Sequence, residues 1–346
     1  MPSDRILIIR LRRVGDLLLL TPTLKAIRNA RPLARIEVLA QRGFHRALAG
    51  NPLVDRLLVL DRGLPGLARM IALCRRGRYG VTLDLQSSPR SVPFVLASGS
   101  PVRVGWKKRA LRDWVYSHLV PGWNDPIYLA RSFARMAEVI GVPAPTDYRL
   151  EFPLSASDRA RAGEIFHQGG IREDRPVVAL SPVANVPRKQ WKPGGFAEVA
   201  DLLVRARDAQ ILLTGGPGEQ RQMRAVVTLM QEGPALWDYG DTSLGELAAL
   251  YERCHLWIGN DGGPKHVATA AGCPTVVVLR SGDERYWTDC SQDPDQAAVW
   301  GPPGPGSGDY LSSVQPAQVF EAALRLLDRK FTPGATGLEG KKNEAG

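Results

Sequence analysis

The chain has 346 residues, 44% hydrophobic and 23% charged, with a formal net charge of +10. That length suits two globular domains, and the composition excludes a collagen-like or wholly disordered chain. No apolar run approaches the roughly 18 residues of a membrane span, the start lacks a secretory signal's long apolar region, and Cys74, Cys254, Cys273 and Cys290 form no CxxC pair of the zinc-ribbon or thioredoxin kind.

Scattered cysteines suit a reducing cytosol, where they serve as buried thiols. The positive charge calls for anionic company: nucleic acid, an acidic membrane surface or phosphorylated substrates.

In chain order, the β-branched run 5–11 predicts a strand, and 16–30 a helix that Pro22 kinks or breaks early. Short strands follow at 36–40 and 57–60, with a turn at Asn51-Pro52 between them. A helix at 66–76 and a strand at 81–85 continue the alternation. Residues 102–123 interleave Lys107, Lys108, Arg109 and Arg112 with Trp106, Trp114, Tyr116 and Trp123. A helix at 127–140 precedes a Pro-rich linker, 141–158.

Alternation then resumes. Strands are expected at 177–180, 210–213, 256–258 and 275–279, and helices at 195–207, 218–230, 244–253, 264–271 and 316–329. The tail 331–346 is Gly-rich and charged and is expected to be disordered. Two α/β halves result, 1–150 and 151–330. In such sheets ligands bind beyond the carboxyl ends of the strands, so the residues just after each strand matter most.

After the first strand come Arg12, Arg13, Gly15 and Asp16. Asp16 caps the following helix or acts as a general base, and the two roles are compatible. After 177–180, Arg188, Lys189 and Lys192 form a basic loop suited to a phosphate, or merely a solvated one. After 210–213 comes Thr214-Gly215-Gly216-Pro217-Gly218-Glu219. Its glycines admit a ligand close to the backbone, but Arg221 stands where a dinucleotide fingerprint needs glycine. Glu219 accepts from ribose hydroxyls or simply favours a helix start. The sharpest loop is Asp261-Gly262-Gly263-Pro264-Lys265-His266, where Pro264 opens a helix whose free N–H groups can take a pyrophosphate. Lys265 and His266 are expected to add donors there.

These blocks resemble glycosyltransferase family nine, the lipopolysaccharide heptosyltransferases. Four segments match in order over roughly residues 5–330: Gly15-Asp16, Lys189-Gln190-Trp191, Thr214 to Glu219, and Asp261 to His266. The resemblance implies a GT-B fold, two Rossmann-like domains facing each other across a cleft. The N-terminal domain would bind the acceptor and the C-terminal one the nucleotide-sugar. It implies inverting, metal-independent transfer, typically of heptose from ADP-heptose, to a lipopolysaccharide inner-core or related acceptor, with no cofactor. Asp16 would be the base. Lys189, Gly215, Gly216, Glu219 and the loop from Asp261 through Gly262, Gly263, Pro264 and Lys265 to His266 would hold the donor nucleotide. Gly262 stands where the family carries Ser or Thr. Ser181-Pro182-Val183-Ala184 and Arg280-Ser281-Gly282-Asp283 also depart from its pattern.

For an anionic lipid-linked acceptor, Arg12, Arg13, Lys107, Lys108, Arg109 and Arg112 would bind its acidic groups. Trp106, Trp114 and Trp123 would rest at the cytoplasmic face of the inner membrane. The plain alternative is a helix with its aromatics in the core. Asp293-Pro294-Asp295 mimics a metal-binding DxD but reads as a loop. Two other readings stand beside the transferase: a nucleotide-sugar epimerase of related fold, which leaves the basic aromatic segment without a purpose, and a nucleic-acid-binding protein, carried by charge alone.

Overall fold

A computed structural model of the protein describes residues 4–172, 174–184, 186–302 and 311–331. The chain divides into two compact units, Met1–Pro153 and Leu154–Gly346.

The first unit runs β1 (Arg5–Ile9), α1 (Val14–Leu18), α2 (Thr21–Ala30), β2 (Arg35–Gln41), β3 (Arg56–Leu60), α3 (Gly63–Arg76), β4 (Val81–Asp84), α4 (Val92–Ser98), β5 (Val102–Trp106), β6 (His118–Val120) and α5 (Leu129–Glu138). Its six strands lie in the order β3-β2-β1-β4-β5-β6, with every pairing parallel. Helices cover both faces of such a sheet, so its central strands read as continuous apolar runs. Ile6, Leu7, Ile8 and Ile9 are accordingly all inaccessible. Strand order reverses between β1 and β4, where Ile9 lies opposite Asp84. The loops leaving these two strands therefore start side by side, at the position where α/β sheets bind ligands.

The second unit runs α6 (Ala156–Gln168), β7 (Val177–Ser181), α7 (Pro193–Arg207), β8 (Gln210–Leu213), α8 (Gln220–Val227), α9 (Leu244–Glu252), β9 (Leu256–Asn260), α10 (Gly263–Ala270), β10 (Thr275–Val278), α11 (Glu284–Trp287), β11 (Gln296–Val299) and α12 (Pro316–Lys330). Its parallel sheet has the order β11-β10-β9-β7-β8, reversing between β7 and β9. Val199, Leu203, Val319, Ala323 and Leu327 of α7 and α12 pack with Val178, Ile211, Ile258 and Val276 of the strands in one core.

Several expectations need correction. The early break expected at Pro22 within 16–30 falls just before it: α1 ends at Leu18, and Pro22 lies in the first turn of α2, where its missing N–H costs nothing. Residues 102–123 are not one helix but β5, a 3-10 turn (Leu111–Val115) and β6. The linker at 141–158 already contains the start of α6, capped where the Ser155 hydroxyl accepts from Asp158 N at 3.1 Å. The short elements α4, α11 and β11 carry no periodic pattern. Cys74, Cys254 and Cys273 are buried free thiols, but Cys290 is exposed. Beyond Phe331, the expected disordered tail lies outside the described residues. Among the described residues, no helix is long and apolar enough to cross a membrane.

Candidate active site

In the second unit, β7 and β9 are neighbours, with Ser181 opposite Gly259. A Cβ at Gly259 would lie 2.7 Å from the Ser181 carbonyl oxygen and 2.6 Å from the Trp257 ring. Only glycine lets the strands and that ring approach so closely. The next residue, Asn260, is buried, and its Oδ1 accepts from Trp191 N at 2.9 Å. Trp191 is itself buried. Its indole N–H donates to the Val314 carbonyl at 3.2 Å, and its ring meets Phe196 edge-on. The Lys-x-Trp segment thus owes its tryptophan to anchoring: Trp191 ties the loop after β7 to the end of β9. Two residues earlier, on a 3-10 turn (Pro187–Lys189), the Lys189 ammonium pairs with the Asp261 carboxylate. Lys189 Nζ also lies 5.8 Å from the Trp287 ring centroid, within cation–π range.

Helix α10 begins just beyond Asp261, with Gly262 as its N-cap and Pro264 in its first turn. Gly262 is extended, and a Cβ there would meet nothing closer than Pro264 Cδ at 3.7 Å, so the backbone does not require glycine. His266 is 3% exposed, and its Nδ1 has no hydrogen-bond partner among the described residues. Burial, then the Lys265 and Lys189 charges, hold its pKa well below the ordinary imidazole range. It is a neutral imidazole, meeting the Trp287 ring edge-on at 6.2 Å. First-turn amides, one ammonium and one neutral imidazole have the chemistry of a diphosphate receptor.

Lys265 does not face that receptor. Its side chain is fully buried, and its ammonium donates to the Trp287 carbonyl at 2.9 Å and to Gln296 Oε1 at 2.7 Å. These two bonds turn its ammonium away from His266's side of the helix start. Lys265 instead ties α10 to the segment running from Trp287 to Gln296. Burial lowers its pKa to about 8.

In the Gly-rich turn, Gly218 adopts φ +84°, and Glu219 Oε2 accepts from Gly216 N at 2.6 Å. That carboxylate oxygen closes its own turn. Gly215 and Gly216 are half-buried. Asp293-Pro294-Asp295 is a loop, in which Asp293 accepts from Gln296 Nε2 at 2.7 Å and Asp295 pairs with Lys330 at 2.8 Å. Among the described residues, no group of three or more His, Cys, Asp or Glu side chains is placed to hold a metal.

In the first unit, Asp16 sits at the third position of α1 and is 8% exposed. Its Oδ2 accepts from Arg13 N at 3.0 Å, so it does cap the helix start. The same oxygen accepts from Arg10 Nη2 at 2.6 Å. Arg12 is exposed and donates to Gln41 Oε1 at 3.0 Å, while the Arg13 side chain is exposed. Sequence reading missed Arg10. It also missed buried Asp84, which accepts from Gln86 N at 3.0 Å, Ser87 N at 2.9 Å and the Tyr116 hydroxyl at 2.7 Å. Gly105 makes room for that tyrosine: a Cβ there would lie 2.5 Å from its ring. The one available signal was a carboxylate closing an apolar strand.

The basic aromatic segment divides. Trp106 is a β5 residue, 5% exposed, so it packs in the unit's interior instead of facing a bilayer. Leu111 and Trp114 are 97% and 73% exposed. On a 3-10 turn, residues three apart eclipse one another, so these two share the outward face while Val115 anchors the inner one. Lys108 Nζ lies 4.6 Å over the half-exposed Trp123 ring, and burial, then Arg112, lower its pKa. Lys107 and Arg109 are exposed beside them, and Arg112 is partly so.

Two parallel-sheet Rossmann-like units, the second with Lys189, Asp261 and His266 beyond its strand-order reversal, fit a glycosyltransferase of GT-B fold. Residues 68–301 match glycosyltransferase family 9 (heptosyltransferase), and the chain belongs to that family. It is similar to lipopolysaccharide heptosyltransferase 3 of Escherichia coli, 25% identical over 92% of this chain and 98% of that protein. Among solved structures it resembles a family 9 glycosyltransferase from Veillonella parvula, with TM-score 0.84 and 24% identity over 95% of this chain and 99% of that one. It also resembles the E. coli ADP-heptose lipopolysaccharide heptosyltransferase II, with TM-score 0.76 and 21% identity over 94% and 99%. Family membership sets aside the epimerase and nucleic-acid readings.

Proposed function

We propose that the protein transfers heptose from ADP-heptose, with inversion and without a metal, to an anionic lipid-linked glycan of the lipopolysaccharide inner-core type. The observation that carries this reading is the Lys189–Asp261 pair beside buried, neutral His266 at the start of α10. Lys189 has three N–H donors, and one carboxylate leaves the others for a phosphate. Its charge and the α10 amides serve where a divalent cation would otherwise neutralise the leaving group. The ADP assignment is supported by the likeness to the E. coli ADP-heptose lipopolysaccharide heptosyltransferase II.

Asp16 serves as the base. As its carboxylate takes the acceptor hydroxyl proton, that oxygen bonds to the anomeric carbon. The bond from that carbon to the β-phosphate oxygen breaks, and its electron pair leaves with ADP beside Lys189. Glu219 contributes its second carboxylate oxygen to the ribose. The outward Leu111–Trp114 face, with Lys107, Arg109 and Arg112, rests on an anionic membrane surface.

The test is a thermal-shift titration with ADP, UDP and GDP. A ligand at 100 times its Kd stabilises by about 2.7 kcal/mol. A shift with ADP alone supports the donor assignment, and a shift with UDP or GDP alone replaces it. Full turnover after chelation and dialysis supports the metal-free route. The anomeric configuration of the product, read by NMR, decides inversion.

A further inference from the structure

We propose that Arg10 is a positioning residue for Asp16: its guanidinium holds Oδ2 of that carboxylate and leaves Oδ1 as the oxygen that receives the acceptor proton. The inference rests on the reading of Asp16 as the base.

The topology produces the arrangement. Ile9 at the end of β1 pairs with Asp84 at the end of β4, so Arg10 and Leu85 leave the sheet together. Arg10 Nη1 donates to the Leu85 carbonyl at 2.9 Å while Nη2 donates to Asp16 Oδ2 at 2.6 Å. The guanidinium carbon lies 5.2 Å over the Phe133 ring of α5. Leu85 is steadied in turn, because neighbouring Asp84 is fixed by Tyr116 and by the Gln86 and Ser87 amides. Carbonyl, ring and carboxylate thus hold one planar cation from three directions.

Asp16 Oδ2 also accepts from Arg13 N at 3.0 Å, and no bond to Oδ1 is present among the described residues. The Asp16 side chain keeps 12% exposure. Its two oxygens are therefore not equivalent. The charged groups around this pair are Arg13 on the same loop, Asp84 at the end of β4 and Lys108 after β5. Arg10 fixes the direction of the carboxylate. Lysine could supply the charge but not both contacts, because its ammonium is a point donor where guanidinium is a fork.

The experiment compares Arg10→Gln, Arg10→Lys and Asp16→Asn in the full chain, following kcat and donor KM. In Arg10→Gln plateau kcat falls about tenfold or more, and donor KM stays put. Arg10→Lys does not restore the plateau. An Arg10→Gln kcat like wild type, with Asp16→Asn inactive, overturns the proposal and spares the base. An active Asp16→Asn overturns the base itself. Should Arg10→Gln fail to fold, Arg10→Lys with wild-type plateau kcat overturns the proposal alone.

Discussion

Lys189 and Asp261 are 72 positions apart in the chain, yet their side chains form an ion pair at the start of α10. The pair exists because β7 and β9 are neighbours and because Trp191, two residues from Lys189, is tied to Asn260, the residue before Asp261. Asp261 aims the lysine, and the lysine's remaining donors are left for a ligand.

Lys189→Ala removes the phosphate cation and leaves Asp261 unpaired and 6% exposed. ADP affinity is expected to fall about 10- to 100-fold, the worth of a charge-assisted hydrogen bond. Stability falls as well, from the uncompensated carboxylate. Adding Asp261→Asn recovers stability but not affinity. Calorimetric titration with ADP beside urea denaturation checks both; unchanged ADP binding in Lys189→Ala removes the residue from the donor site.

Gly262→Ser puts a hydroxyl where the resembling family usually carries one. The extended backbone and open surroundings accept the side chain. Exchange of Gly and Ser at an N-cap changes stability by only a few tenths of a kcal/mol. ADP binding should tighten by a few-fold, as one added neutral hydrogen bond allows. Weaker binding at unchanged stability would place the phosphate away from this N-cap.

His266 makes stability pH-dependent on the acid side. Its folded pKa lies well below the ordinary 6.5, for reasons of burial and of the neighbouring Lys265 and Lys189 charges. As pH falls below about 6.5 the unfolded chain takes up a proton that the folded one refuses, so stability is lost. It is fully present above that value. His266→Gln has nothing to protonate, and its acid-side slope should be shallower by up to about 1.4 kcal/mol per pH unit. Parallel slopes in urea denaturation from pH 7 downward would show the imidazole to be solvated.

Lys265 gives an effect of the same sign at alkaline pH. Its folded pKa of about 8 lies below the ordinary 10.5, so between those values the unfolded chain holds the extra proton and stability rises with pH. Lys265→Met should lack this rise. The readout is the difference in urea midpoint between variant and wild type at pH 7.5 and 9.5. A constant difference would mean that the ammonium reaches water.

Much of the architecture was legible because both sheets are parallel and buried on both faces, which turns strands such as 177–180 and 210–213 into plain apolar runs. Pro22 signalled the break between α1 and α2 but not its position, since Leu17 to Leu20 continue the apolar pattern straight across it. β5 escaped because its Arg103 breaks the apolar run, satisfied locally through the Val115 and Ser100 carbonyls. At the site, loops following strands could be read in order, so Lys189, Asp261 and His266 emerged. Arg10 and Trp287 did not: their partners lie far along the chain, at Leu85 and Lys189, and only strand order brings them near. Lys265 was expected at the loop because its partners, Trp287 and Gln296, also lie far along the chain.

The outward face of the Leu111–Val115 turn supplies the last prediction. Leu111 and Trp114 present their side chains to solvent together, with Lys107 and Arg109 exposed nearby. Vesicles of phosphatidylglycerol and phosphatidylcholine should bind the protein, and vesicles of phosphatidylcholine alone should not. Arg109→Gln with Arg112→Gln should weaken binding by about 1 kcal/mol per charge, less at high salt. Leu111→Ser with Trp114→Ser should weaken it at every salt concentration, because the lost contribution is apolar burial. ADP binding should be untouched in all of these, since no altered residue lies in the second unit. Equal binding to both vesicle types, or none to either, would end the membrane assignment and leave the face as a solvated turn.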